Sequence, residues 1–128
     1  ALSSEIDVLR RCRHANVVSY YGAYDIDARH VWILTAYHEL GSVADVMRAT
    51  RATLTEGQLA VVCADVLNGL VYLHSLDIAH RDVKASNILL DSDNRRALLA
   101  DFGLSEKLVG AIGVRGGTPE YMAPELVD

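Results

Sequence analysis

The stretch His80-Arg81-Asp82-Val83-Lys84-Ala85-Ser86-Asn87 decides how this chain is read. It fits the pattern H-R-D-x-K-x-x-N, five fixed letters that arise by chance in so short a chain at roughly one in ten thousand or less. Nineteen residues past Asp82 stands Asp101-Phe102-Gly103, and Ala123-Pro124-Glu125 follows near the end. Three motifs in this order are far rarer than any one of them.

The 128 residues around these motifs have the length of a single domain. Hydrophobic residues make up 51% and charged residues 23%, which excludes a wholly disordered chain and predicts a packed core. A net charge of −5 argues against a nucleic-acid surface, which would carry a basic stripe. No uninterrupted run of 18 apolar residues exists, so no membrane span is expected, and no signal peptide is visible. Cys12 and Cys63 stand alone among apolar neighbours, without metal-ligand spacing. Buried free thiols are expected rather than a disulfide, and with them an intracellular, cytoplasmic setting.

Working outward toward the N-terminus, Ser4-Glu5-Ile6-Asp7-Val8-Leu9-Arg10 reads as helix, with Ile6 and Leu9 on one face and a stop near His14-Ala15-Asn16. Val17-Val18-Ser19-Tyr20-Tyr21 and Val31-Trp32-Ile33-Leu34-Thr35 are β-branched and aromatic, so they read as strands, with a hairpin loop from Asp25 to His30. Ser42 is a plausible N-cap for a short helix that turns Val43, Val46 and Met47 inward. Thr55 and Gln58 form the signature of a capping box, with Leu54 and Leu59 placed for a hydrophobic staple. Behind them Leu59, Val62, Cys63, Val66, Leu67, Leu70 and Leu73 recur at helical spacing, which predicts one wide apolar face to about Ser75. Ile88-Leu89-Leu90 and Ala97-Leu98-Leu99-Ala100 read as a second hairpin around residues 91–96. The glycine-rich, aperiodic segment 103–117 reads as a mobile loop.

Together the motifs resemble the catalytic loop, metal loop and activation-segment end of a eukaryotic-type serine/threonine protein kinase. The resemblance covers nearly the whole chain. It implies an α+β, protein-kinase-like bilobal fold, present in part. Residues 1–35 would supply the small-lobe helix and strands, 36–41 the hinge, and 42–128 the large lobe through the activation segment. A kinase catalytic domain is about twice this length, so the chain is expected to be a fragment. The run from Val17 to Asp45 is most similar to sterile-twenty-like kinases, whereas Thr118-Pro119-Glu120-Tyr121 is closer to the cyclic-nucleotide-dependent group.

The resemblance assigns roles residue by residue. Phosphoryl transfer needs a carboxylate at the attacking hydroxyl, metal ions on the phosphates and positive charge at the moving group. Asp82 would orient the acceptor hydroxyl and take its proton, and Lys84 would neutralise the transferred group. A surface turn carboxylate paired with Arg81 is the bland alternative for Asp82. Asn87 and Asp101 would hold Mg2+, for which hard oxygen ligands are suited. Thr118 would hydrogen-bond Asp82 and Lys84. Glu5 would pair with a strand lysine that this chain does not contain. ATP would lie against Thr35, Ala36, His38, Ser42, Ser86, Leu89 and Asp101, with Ala36 and His38 offering backbone groups, Thr35 as gatekeeper and Leu89 as the apolar floor. His80 is read as structural, part of a buried column with Phe102, Leu9 and Tyr20.

The function so implied is transfer of the γ-phosphoryl group of Mg-ATP to Ser or Thr hydroxyls of a protein substrate. A pseudokinase or scaffold with the same fold is the alternative, since neither the strand lysine nor a Gly-rich loop occurs in these residues. A soluble α+β domain with accidental motifs is the blander one. Relatives commonly phosphorylate a threonine four residues before the position of Thr118, where this chain has Val114. The loop is therefore expected not to be switched by phosphate at that place.

Overall fold

The computed structural model describes residues 2–27, 29–101, 106–107 and 116–127. Helix α1 (Leu2–Arg11) ends in two arginines, where the helix dipole favours positive charge. Val8 and Leu9, with Cys12 just beyond, turn one buried stripe inward.

Strands β1 (Tyr20–Asp27) and β2 (His30–Thr35) form an antiparallel hairpin with Ala23 opposite Ile33 and Tyr24 opposite Trp32. Its boundaries differ from those the sequence predicts. Val17 and Val18 leave the hairpin because Leu99 claims their backbone. Val17 bridges Leu99 in parallel, and the Val18 N–H donates to the Leu99 carbonyl at 2.9 Å. At the other end the strands run on into the predicted loop. Asp27 closes the turn by accepting from the Arg29 and His30 N–H groups at 2.8 and 3.0 Å, as aspartate does in tight turns.

Helix α2 (Val43–Thr50) starts at Ser42 with a reciprocal capping box. The Ser42 hydroxyl accepts from the Asp45 N–H at 3.1 Å, and Asp45 accepts from the Ser42 N–H at 2.8 Å. Such a cap contributes about 1 kcal/mol. Gly41 leads in at φ +69, and a Cβ there would lie 2.7 Å from the Asp45 carboxylate, so the cap itself requires glycine. Val43 is buried and Val46 and Met47 are half-buried, as their spacing predicts.

Helix α3 (Glu56–Ser75) opens with the predicted box. Gln58 accepts from the Thr55 N–H at 2.9 Å and returns its own N–H to the Thr55 hydroxyl at 3.3 Å. The predicted single apolar face divides in two. Val66, Gly69 and Leu73 are buried, with Val62 and Leu70 beside them. Leu59, Val61, Leu67 and Val71 are exposed. Cys63 is exposed as well, against expectation, whereas Cys12 is buried; neither is in a disulfide. The helix is apolar on more than one side, and periodicity alone cannot say which side finds a partner. By length and hydropathy α3 would also pass for a membrane span, which a search for uninterrupted apolar runs overlooks. Its inner face is instead committed to the strands that follow.

Those strands are β3 (Ile78–Ala79), β4 (Ile88–Asp91) and β5 (Arg96–Leu99), with a 3-10 turn at Ala85–Asn87 between the first two. β4 and β5 pair antiparallel, Ile88 opposite Leu99 and Asp91 opposite Arg96. The Asp91 carboxylate gathers their turn, accepting from the Asp93 and Asn94 N–H groups, the Asn94 amide and Arg96 Nε. Strand β6 (Glu106–Lys107) pairs with β3. Most of the predicted mobile loop, residues 103–105 and 108–115, lies outside the described residues. A 3-10 turn at Pro119–Tyr121 and helix α4 (Pro124–Val127) complete the description. One core unites Val8, Leu9 and Cys12 with Val43, Val66, Leu73, Ile78, Ile88 and Leu99, so the motif loops are mounted on a shared apolar base.

Candidate active site

The site is built on the segment leaving β3. His80 is 1% exposed, and its ring is held on both sides. Nδ1 accepts the Asp82 N–H at 3.2 Å, and Nε2 lies 2.8 Å from the Ala100 carbonyl. One nitrogen must accept and the other donate, which is the neutral imidazole protonated at Nε2. Burial pushes its pKa below the ordinary value, outweighing the Ala100 carbonyl and the charges of Asp101 and Asp82. His80 is thus structural: it ties Asp82 to the residue before Asp101. Of its predicted column, Leu9 is buried and Tyr20 packs at the core's edge; Phe102 lies outside the described residues.

Asp82 is the hub. Its Oδ1 accepts the Thr118 hydroxyl at 2.9 Å, and its Oδ2 accepts the Asn87 amide at 3.1 Å with Lys84 Nζ 3.4 Å away. Lys84 Nζ also donates to Thr118 Oγ1 at 2.6 Å. The threonine hydroxyl accepts from the lysine and donates to the aspartate, which orients all three. For Asp82, burial raises the pKa, but the Thr118 hydroxyl, the Lys84 charge and the Asn87 amide together hold it below the ordinary carboxylate value. Asp82 is therefore an ionised acceptor at neutral pH.

Asn87 is 5% exposed, and its amide nitrogen donates both to the Asp82 carbonyl at 2.8 Å and to the Asp82 carboxylate. That fixes the side chain's orientation and leaves Oδ1 without a hydrogen-bond partner among the described residues. Asp101 has φ +60, a left-handed conformation that aspartate tolerates better than most residues. It lines a cavity of about 220 Å³ together with Leu9, Val18, Ile33, Thr35, Leu89 and Ala100. An amide oxygen and a carboxylate are hard donors of the kind Mg2+ takes while keeping positions for phosphate and water, so these two residues fit that ion.

The remaining predicted residues divide. Thr35, Leu89 and Asp101 share the cavity. The Ala36 N–H is spent on the Ser19 carbonyl at 2.8 Å, so only its carbonyl is available to a ligand. His38 has a buried Nε2 with no partner among the described residues. The Ser42 hydroxyl is engaged with Asp45 and serves the α2 cap. Ser86 is exposed on the 3-10 turn. Glu5 lies in α1, but its side chain falls outside the described part. A residue absent from the predicted set, Asp65 of α3, grips the strand leading to Asp101 (2.8 Å to the Ala97 N–H). Its one signal in the sequence is a carboxylate interrupting an apolar helix.

A family model described as the protein kinase domain matches residues 1–128. The serine/threonine-protein kinase pakF of Dictyostelium discoideum is 45% identical over 130 residues, covering 99% of this chain and 11% of that protein. Serine/threonine-protein kinase hippo of Drosophila melanogaster is 43% identical over 97% of this chain and 19% of its own length. Serine/threonine-protein kinase cst-1 of Caenorhabditis elegans is also 43% identical, over 97% of this chain and 25% of its own. The chain thus spans from 11% to 25% of the length of these relatives.

Proposed function

The chain belongs to the protein kinase domain family, and on that premise we propose that it is part of an ATP-dependent protein serine/threonine kinase. The observation that carries the reading is the closed set Asp82–Thr118–Lys84, with Asn87 locking the aspartate from the other side. An ionised carboxylate held by a hydroxyl, an ammonium and an amide is suited to orient an acceptor hydroxyl and receive its proton. Lys84 places positive charge where a transferred phosphoryl group would pass. Asn87 Oδ1 and the Asp101 carboxylate would hold Mg2+, which when bound neutralises charge on the phosphates. Thr35 and Leu89 would face the nucleotide, with the Ala36 carbonyl and His38 backbone at its edge. In this reading residues 1–35 belong to the small lobe, 36–41 to the hinge and 42–128 to the large lobe. Two cysteines free of disulfides suit an intracellular setting.

The test is transfer of phosphate from Mg-ATP to a generic protein substrate by the full-length protein, beside its Asp82→Asn variant. Transfer that falls by about two to four orders of magnitude in the variant supports the reading. No transfer from well-folded, unaltered protein would move it to a nucleotide-binding or scaffold role.

A further inference from the structure

Strand β5 pairs with β4 along one edge only. In an antiparallel pair alternate residues direct their N–H and C=O groups away from the partner, and here those residues are Ala97 and Leu99. Every one of the four outward groups is taken. At Leu99 the partners are backbone: its N–H donates to the Asn16 carbonyl and its carbonyl accepts from Val18, both at 2.9 Å. At Ala97 they are side chains. The Ala97 carbonyl accepts from Asn16 Nδ2 at 2.9 Å, and the Ala97 N–H donates to Asp65 Oδ2 at 2.8 Å.

The strand then runs straight into the site. The Ala100 N–H donates to the Asn87 carbonyl at 2.9 Å, the Ala100 carbonyl meets His80 Nε2, and Asp101 follows in its left-handed conformation. From Ala97 to Asp101 the backbone is therefore fixed at both ends, at the far end by His80 and Asn87 and at the near end by Asp65 and Asn16. Asp65 belongs to α3, whose Gly69 brings the helix close to the same segment: a Cβ there would lie 2.7 Å from the Asn16 carbonyl and 3.0 Å from Leu99 Cδ1.

We propose that Asp65 is a positioning residue for Asp101, acting through the Ala97 peptide and β5. It touches no reacting group. Its carboxylate fixes where along the strand the chain enters the turn that presents Asp101 to Mg2+. This inference rests on the proposed function.

The experiment uses the full-length protein with Asp65→Leu, which removes the acceptor, and Asp65→Asn, which keeps an oxygen that can accept the Ala97 N–H. ATP binding is measured by calorimetry across a Mg2+ titration, and backbone hydrogen exchange is followed at residues 97–101. The leucine variant is expected to need about tenfold more Mg2+ for half-maximal ATP binding, as residues that orient metal ligands typically do. Exchange at residues 97–101 should quicken, ATP binding at saturating Mg2+ should hold, and the asparagine variant should restore both readouts. An unchanged Mg2+ requirement alongside faster exchange or a lower melting temperature would make Asp65 merely structural and overturn the inference. Equal impairment of the asparagine variant would also overturn it. If the leucine variant does not fold, Asp65→Ala is read the same way; failure of both to fold assigns Asp65 to the fold alone. If the unaltered protein binds no Mg-ATP, the proposed function falls and takes the inference with it, an outcome distinct from all the others.

Discussion

Thr118 donates a hydrogen bond to Asp82 across 36 residues of chain, at 2.9 Å, while accepting one from Lys84 at 2.6 Å. One oxygen therefore orients both charged groups of the site. Thr118→Val removes the donor and the acceptor at once and leaves Lys84 and Asp82 to settle against each other. Phosphate transfer is expected to fall about tenfold to a hundredfold, the scale of one hydrogen bond to a charged group. Thr118→Ser should retain most of it. Steady-state rates of the two variants decide, and equal rates would remove Thr118 from the site.

Gly69 brings α3 close to the segment around Asn16 and Leu99. A Cβ there would sit 2.7 Å from the Asn16 carbonyl, a backbone atom that cannot step aside. Gly69→Ala should therefore destabilise the protein by about 1–3 kcal/mol through overpacking, although alanine is the better helix former. Urea denaturation checks this; a stabilised variant would mean the helix can slide without cost.

His80 supplies a pH signature. Burial lowers its folded-state pKa below the ordinary 6.5. Below that value the unfolded chain takes up a proton that the folded chain refuses, so the unfolded state holds more protons and stability declines as pH falls. The contribution is fully present above about pH 6.5 and is lost progressively beneath it. Denaturation midpoints between pH 7.5 and 5 should show the decline, and His80→Gln should flatten it while lowering stability throughout.

The polypeptide of residues 1–128 alone should be prone to association. Leu59, Val61, Leu67 and Val71 of α3 are 50, 54, 60 and 69% exposed, and exposed apolar side chains in such number seek cover. Light scattering should report association, and Leu67→Glu with Val71→Glu should suppress it. A monomer with a sharp unfolding transition would contradict this.

Val114, standing where the family resemblance implies a phosphorylated threonine, lies outside the described residues. Among residues 101–125 the hydroxyls are those of Ser105, Thr118 and Tyr121, and Thr118 is committed to Asp82. Phosphopeptide mapping of active protein should find no activating site in the loop, and one on Ser105 would refute this.

What the sequence made legible was whatever is local or carried by side-chain chemistry. The Thr55–Gln58 capping box and the Ser42 N-cap could be read because each is local, whereas the return bond from Asp45 to Ser42 came only with the structure. Asp82, Lys84 and Asn87 could be read because their types are rare in that order, and Thr118 because the family resemblance implies it beside them; the structure brings the four together. What stayed hidden depends on distant partners. Val17 and Val18 have strand-forming side chains, yet Leu99 decides their pairing. Cys63 and Leu67 recur at the same spacing as Val66 and Leu73, and the position of the strands packed on α3 separates the exposed from the buried. Asp65 was passed over because its partner is a backbone N–H 32 residues away, which no side-chain pattern records.

The clamp on Ala97 also bears on how the protein is made. Asn16 reaches Ala97 across 81 residues, and Val17 waits for Leu99. During synthesis the first helix and hairpin leave the ribosome well before the strand that secures them. Until then Val17 and Val18, both destined for the interior, remain open to water and to neighbouring chains. Contacts of such long range slow folding and prolong that exposure. A nascent chain halted before residue 97 should therefore hold the segment around Val17 and Val18 unsettled, a natural client for a chaperone, and release it once β5 has emerged.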